Sequence, residues 1–232
     1  MKIVFFSDIH GNIYAFNKFI EDIERINADK VVFCGDVFGY YYYPNQIYTY
    51  IREHEWNCVL GNHDKMLLDV IDCNLDNGRL IEKYGSIYKN PINILDEKNI
   101  AFIRSLQAKY EFEVDKIRFG VFHGTPMDNL NGRLYPSDAI IDYNDYCIFD
   151  YVILGHTHHK LVKRVNNTTI INPGSLGQQR DGKGCSYLLF DTIKKHFEFK
   201  IIHYDTTQLI NDIKDRDNAN PQFIEVLIRK SY

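Results

Sequence analysis

No apolar run in this 232-residue chain reaches the roughly 20 residues that a bilayer-spanning helix needs, so no membrane span is expected. The five cysteines, Cys34, Cys58, Cys73, Cys147 and Cys185, are odd in number, scattered, and form no Cys-x-x-Cys pair. Cys34 and Cys58 fall in strand-like runs, where a free thiol behaves as a small hydrophobe. A reducing, cytoplasmic setting is the natural reading. An excess of positive charge is also missing, the formal net charge being −4, so no extended nucleic-acid surface is expected. A small nucleotide remains open, because bound cations can supply a positive field locally. There is no Gly-x-Ser-x-Gly and no Gly-x-x-x-x-Gly-Lys-Ser/Thr, which removes two common nucleophile and phosphate-loop chemistries. No internal repeat, low-complexity linker or disorder-prone composition is present. The amino terminus runs straight into an acidic motif without a long apolar core or cleavage site, and reads as a first strand rather than a signal peptide.

What the chain does have is 45% hydrophobic residues, enough for a real core in one domain spanning 1–232. Strand-like runs are expected at 3–7, 30–34, 57–60, 110–114, 117–122, 151–154, 161–165, 168–171, 186–191 and 196–204. Helical patterns are expected at 12–26, 45–53, 137–149 and, last, 206–217. The early strand–helix–strand alternation implies a parallel sheet with helices on its faces. Residues 65–108 break that rhythm as helical pieces interrupted at Gly78, Gly85 and Pro91, an insertion placed to cap a site or to cover a sheet edge.

Five of the apolar runs end in Asp, His or Asn. They lead into Asp8-Ile9-His10, Gly35-Asp36, Gly61-Asn62-His63-Asp64, His123-Gly124 and Gly155-His156-Thr157-His158. In open α/β sheets ligands gather beyond the carboxyl ends of the strands, so all five segments should converge. On an extended backbone a spacing of two points Asp8 and His10 to one side, and likewise His156 and His158. Each motif alone has a bland reading: a solvated Asp-x-His, or an Asn/Asp turn. Their conjunction at successive strand ends is what carries weight. Asp8, His10, Asp36, Asn62, His123, His156 and His158 mix nitrogen and oxygen donors. Seven are too many for one catalytic ion with an open position, and suit two ions bridged by a carboxylate.

This five-part set resembles the calcineurin-like metallophosphoesterase superfamily over nearly the whole chain, and within it the compact bacterial and archaeal phosphodiesterase-type branch. Gly35-Asp36-Val37-Phe38-Gly39-Tyr40 and Asn172-Pro173-Gly174-Ser175 resemble the same branch. The resemblance implies an α/β fold, a four-layer α-β-β-α sandwich of two mixed sheets packed face to face with helices outside. It implies one metal held by Asp8, His10, Asp36 and His158, a second by Asp36, Asn62, His123 and His156, and Asp36 as the bridge. His63 would face the substrate phosphate, with Asp64 orienting its ring, and Asn12 would lie near the phosphate. Two divalent ions, drawn from Mn, Fe, Zn, Ni or Co, would activate a bridging hydroxide for in-line attack on phosphorus. The implied enzyme is a phosphodiesterase of small, nucleotide-like esters. The alternatives are a phosphomonoesterase, a dinucleoside polyphosphate hydrolase, or a non-catalytic scaffold of the same fold.

Two substrate features come from this chain alone. Tyr40 to Tyr43 follow the bridging Asp36 closely and either line the rim, where an aromatic could stack on a base, or pack against the inserted helices. Here the chain departs from the branch, where a small or polar loop usually stands. Arg180, on the Gly-rich stretch 177–182, reads as a surface turn with phosphate contact as the sharper alternative. His159 should turn away from its neighbours, while His54, His196 and His203 fit no motif.

Overall fold

Val4 and Phe6 alternate with Ile3 and Phe5 along the first strand, and all four are fully buried. A strand apolar on both faces must lie between two layers, and this one does. The computed structural model describes residues 1–139 and 144–229. Strand β1 (Lys2–Phe6) pairs in parallel with β2 (Lys30–Phe33), and β2 pairs in parallel with β3 (Asn57–Cys58). On the other side β9 (Cys185–Asp191) runs antiparallel to β1, and β10 (His196–Ile202) runs antiparallel to β9. This gives a mixed sheet of order β10-β9-β1-β2-β3.

The second mixed sheet has the order β4-β5-β6-β8-β7. It comprises β4 (Lys109–Val114), β5 (Ile117–Phe122), β6 (Tyr151–Ile153), β7 (Lys160–Val165) and β8 (Thr168–Pro173). Between the sheets Ile3, Phe5, Val32 and Phe190 meet Phe119, Val121, Ile153 and Ile171 in a shared apolar layer. The β4–β5 hairpin turns on Asp115 and Lys116, at φ 51° and 60°, the left-handed pair that a two-residue hairpin loop requires.

Helices α1 (Ile13–Ile26) and α2 (Pro44–Glu53) bury Phe16, Phe19, Ile47 and Tyr48 on the outer face of the first sheet, against Val4, Phe6 and Phe33. Helices α3 (Asn62–Ile71), α4 (Gly78–Tyr84) and α5 (Glu97–Ser105) extend that core with Leu67, Leu80 and Ile103. The stretch 65–108 holds helical pieces, the first of which, α3, begins at Asn62. Gly78 opens α4 instead of breaking a helix. The expected helix at 137–149 falls partly outside the described residues. Its described parts, 137–139 and 144–149, are turns and irregular backbone, from which Tyr146 and Phe149 pack on the outer face of the second sheet. The helix expected at 206–217 is α6 (Thr207–Arg216), and it is not the last. Asn220 accepts from Gln222 and caps a further helix, α7 (Pro221–Ile228). Leu209, Ile213 and Phe223 of this pair close over Tyr41 and Tyr42. Among the described residues no helix is long and apolar enough to cross a membrane.

Candidate metal centre and cleft

The parallel strands β1, β2 and β3 end at one edge of their sheet, and β5 and β6 end beside them. Cross-connections stitch the loops together. Asp8 N donates to Gly35 O at 3.0 Å, Gly155 N to His123 O at 2.9 Å, and His156 N to Asp8 Oδ2 at 3.1 Å. The expected reason for the Asp8/His10 and His156/His158 clamps does not hold. Neither pair is on extended backbone: φ is 56° at Asp8, 50° at His10, 66° at His156 and 59° at His158. The clamps are left-handed turns just past the strands, a region Asp, Asn and His enter more readily than other non-glycine residues.

All seven expected ligands come together in two clusters. In the first, His10 Nδ1 lies 2.8 Å from Phe38 O and His158 Nδ1 lies 2.7 Å from Gln178 O. A carbonyl can only accept, so each Nδ1 carries the ring proton and each Nε2 presents a lone pair. Those two Nε2 atoms face each other at 3.0 Å. Asp8 Oδ1 lies 3.2 Å from His158 Nε2 and, although fully buried, has no hydrogen-bond partner among the described residues. Lone pairs and an orphan carboxylate oxygen aimed at one point are a donor set that fits a divalent cation.

In the second cluster Asn62 Oδ1 lies 2.9 Å from His123 Nε2 and 2.8 Å from His156 Nδ1. His123 Nδ1 is held by Cys34 O at 2.8 Å. Asp36 Oδ2 joins the clusters, 3.2 Å from His123 Nε2 and 3.9 Å from His10 Nε2. Burial pushes His10 well down, lowers His158, and takes His156 to about 3, so these rings are neutral and ready to ligate. Burial also opposes charge on His123, but Asp36 outweighs it and pulls that imidazole up to about 9. Burial lifts Asp36 to about 7, with His123 opposing. This pair therefore holds a proton that a cation would have to displace.

Asp64 does not orient His63. Its Oδ1 accepts from Val37 N at 3.1 Å, Phe38 N at 3.0 Å and Tyr48 OH at 2.5 Å. Its Oδ2 accepts from Asp36 N at 3.0 Å and Gly61 N at 3.1 Å. With both oxygens engaged, this side chain is a clamp on the Asp36 loop and the start of α3. His63 Nδ1 instead meets the Tyr88 hydroxyl at 3.0 Å, and burial pushes its ring well down as well. A ring nitrogen of His63 also comes within ligating reach of His10 and Asp36.

Asn12 is likewise not placed to touch phosphate. It caps α1 by accepting from Ala15 N at 3.1 Å, and its amide donates to Gly177 O at 2.8 Å and Tyr204 OH at 2.7 Å. Arg180 is more than a surface turn. It lines the cleft of about 250 Å³ above the clusters, donating to Tyr40 OH at 3.0 Å and Gln178 Oε1 at 2.7 Å. The tyrosine run divides. Tyr40 lines the cleft, while Tyr41 and Tyr42 are buried packing residues. His159 is half-buried, its Nδ1 near Thr157 O and its ring against Tyr135.

Sequence reasoning missed Lys83, Tyr84, Arg133 and Tyr135, which complete the cleft wall, and Tyr88 behind His63. Arg133 Nε reaches His156 Nε2 at 3.1 Å. No motif marks any of these positions, and the density of Tyr and basic residues was the only available signal.

The sequence pattern of the calcineurin-like phosphoesterase superfamily domain matches residues 1–195. A phosphodiesterase of Methanocaldococcus jannaschii is 25% identical over 85% of this chain and 96% of its own length. A protein of uncharacterised function from the same organism is 28% identical, covering 88% of this chain and 87% of that protein. The crystal structure of a metallophosphoesterase from Sphaerobacter thermophilus superposes with a TM-score of 0.82 at 22% identity, covering 99% of this chain and 98% of the other. That last likeness shows the shared fold.

Proposed function

This chain belongs to the calcineurin-like phosphoesterase superfamily, and within that family's hydrolysis of phosphoric esters we propose that it is a dinuclear-metal phosphodiesterase of small, nucleotide-like esters. The observation that carries this reading is the pair of donor clusters sharing Asp36. Asp8, His10, Asp36 and His158 would hold one divalent ion, and Asp36, Asn62, His123 and His156 the other. When bound, such ions supply Lewis-acid charge to phosphoryl oxygens and acidify water.

The chain's own residues do the rest. Phe38 and Gln178 carbonyls keep protons on the outer ring nitrogens of His10 and His158, so their inner nitrogens stay free, while the Cys34 carbonyl holds the outer proton of His123 and leaves the one shared with Asp36 for a cation to displace. His63, with Nδ1 engaged by Tyr88, offers Nε2 as a hydrogen-bond donor to a phosphoryl or leaving oxygen. Arg180, Arg133 and Lys83 attract anionic substrate, and Tyr40, Tyr84 and Tyr135 offer ring faces to a base. Lys83 and Tyr84 come from α4, so we assign the 65–108 segment a capping role within a single domain. The three cations also favour a second reading, a dinucleoside polyphosphate as the ester. A reducing, cytoplasmic setting suits the five free thiols.

The deciding experiment strips the protein with chelator and reloads it with Mn, Fe, Zn, Ni or Co. Hydrolysis of mono-, di- and pyrophosphate esters is then compared. Preference for nucleotide diesters supports the proposal, preference for pyrophosphate linkages selects the second reading, and preference for monoesters overturns both.

A further inference from the structure

Among the described residues His63 is the imidazole of the centre whose Nδ1 meets a hydroxyl, where His10, His123 and His158 meet backbone carbonyls and His156 meets the Asn62 amide oxygen. Its neighbour there is the Tyr88 hydroxyl, at 3.0 Å. Tyr88 lies in the single turn Ser86–Tyr88, within the helical insertion, and is fully buried. Its position is fixed from several sides. Its ring packs edge-on against Phe38 at 5.0 Å, and its carbonyl accepts from Asn77 Nδ2 at 3.1 Å. Gly39 closes the same side of the imidazole, where a Cβ would fall 2.5 Å from His63 Nδ1. That leaves little room for another partner beside the hydroxyl.

A phenol can donate or accept. Among the described residues two acceptors lie within its reach, His63 Nδ1 at 3.0 Å and His63 O at 3.5 Å. The second distance is at the edge of a usable hydrogen bond, so the proton belongs on the line to Nδ1. A nitrogen that accepts carries no proton, and a neutral imidazole must then carry its proton on Nε2. The same logic runs with opposite sign at His10 and His158, where carbonyls hold the proton on Nδ1 and free Nε2 for a cation, and at His123 once the proton it shares with Asp36 is displaced.

We infer that Tyr88 is a positioning residue: its hydroxyl donates to His63 Nδ1 and so holds the ring proton on Nε2, the nitrogen turned to the phosphoester. One chain thus sets its histidines in two opposite tautomers, carbonyl-held rings for ligating and a phenol-held ring for donating. The inference rests on the proposed role of His63. It also assigns a chemical task to a residue that the capping segment contributes.

Two measurements test it. Long-range ¹H–¹⁵N NMR on wild-type protein reads the His63 tautomer directly. The expected result is a bare Nδ1 and a protonated Nε2, and a protonated Nδ1 overturns the inference. A double-mutant cycle then asks whether Tyr88 acts through His63. Tyr88→Phe should lower kcat on a nucleotide diester by about 10–100-fold, taking the scale from the loss of an orienting partner of a metal-ligating histidine. KM and bound metal should stay near wild type. Added to His63→Ala, the same change should cost nothing further. Losses that multiply overturn the inference. If His63→Ala alone left turnover intact, the proposed role of His63 would fail. The wild-type tautomer would still decide what Tyr88 does.

Discussion

Asp64 offers the sharpest test of how the centre is built. Five donors converge on its two oxygens: Val37 N, Phe38 N and Tyr48 OH on one, Asp36 N and Gly61 N on the other. Asp64→Asn changes one oxygen into a donor and keeps the size. Whichever way the amide turns, at least two backbone N–H groups then face an NH₂ group. Leaving a buried donor unsatisfied costs about 1–3 kcal/mol, so two cost roughly 4 kcal/mol at mid-range. For a domain of this length each kcal/mol moves Tm by about 2–4 °C, which gives a drop of about 8–16 °C. The damage should also reach the metal centre. The clamped backbone carries Asp36 and also Phe38, whose carbonyl orients His10. The assay is calorimetry on the chelator-stripped protein, followed by elemental analysis after reloading. A variant that melts within about 2 °C of wild type and retains its metal would refute this account.

Three further outcomes are expected. Asp36→Asn should lose metal at both clusters and activity with it, because one carboxylate serves each; full activity, in this variant or in chelator-stripped protein, would sink the dinuclear proposal. His63→Ala should lower turnover by about 10²–10⁴-fold while the metal content stays near that of wild type; loss of an equivalent of metal would show that His63 is a ligand, a role its reach toward His10 and Asp36 keeps in play. Tyr40→Ser should raise KM for nucleotide esters by about 1–3 kcal/mol of lost stacking with little change for a small alkyl diester, whereas Tyr41→Ser should lower Tm without touching KM, because Tyr41 packs under α6 and α7.

The strands were readable because their apolar runs are longer than chance turns allow, and the strand expected at 57–60 is longer than β3, Asn57–Cys58, because Val59 bridges to Gln107 and Leu60 N donates to Gln107 O. Helix α7 lies beyond the helix expected to be last: Asn218 and Ala219 turn at positive φ and Asn220 caps the new helix. The described part of 137–149 has helical spacing of apolar residues, yet Tyr146 and Phe149 meet the sheet from turns. Periodicity reports which side chains are buried, and it does not say which backbone buries them.

The centre shows the same division in a sharper form. Its donor residues were legible because metal chemistry restricts their type and strand ends restrict their place. Their geometry was not legible, since the pair spacing invited an extended reading and the backbone is left-handed at Asp8, His10, Asp36, His156 and His158. The two facts are connected. Asp and His are among the few non-glycine residues that tolerate positive φ, so residues suited to ligate are also suited to turn sharply past a strand. The conformation still costs about 1–2 kcal/mol at each such residue. It persists because bonds from distant segments over-determine it. Gly177 N and Ser175 Oγ both hold Asp8 O, at 3.0 and 2.7 Å, and His10 N donates to Asp36 O at 3.1 Å. Those partners lie about 25 to 170 positions away along the chain, and no local pattern announces them. The same holds for Tyr88. A tyrosine in a helical insertion carries no motif, and its bond to His63 exists only once the insertion folds back over the sheet edge.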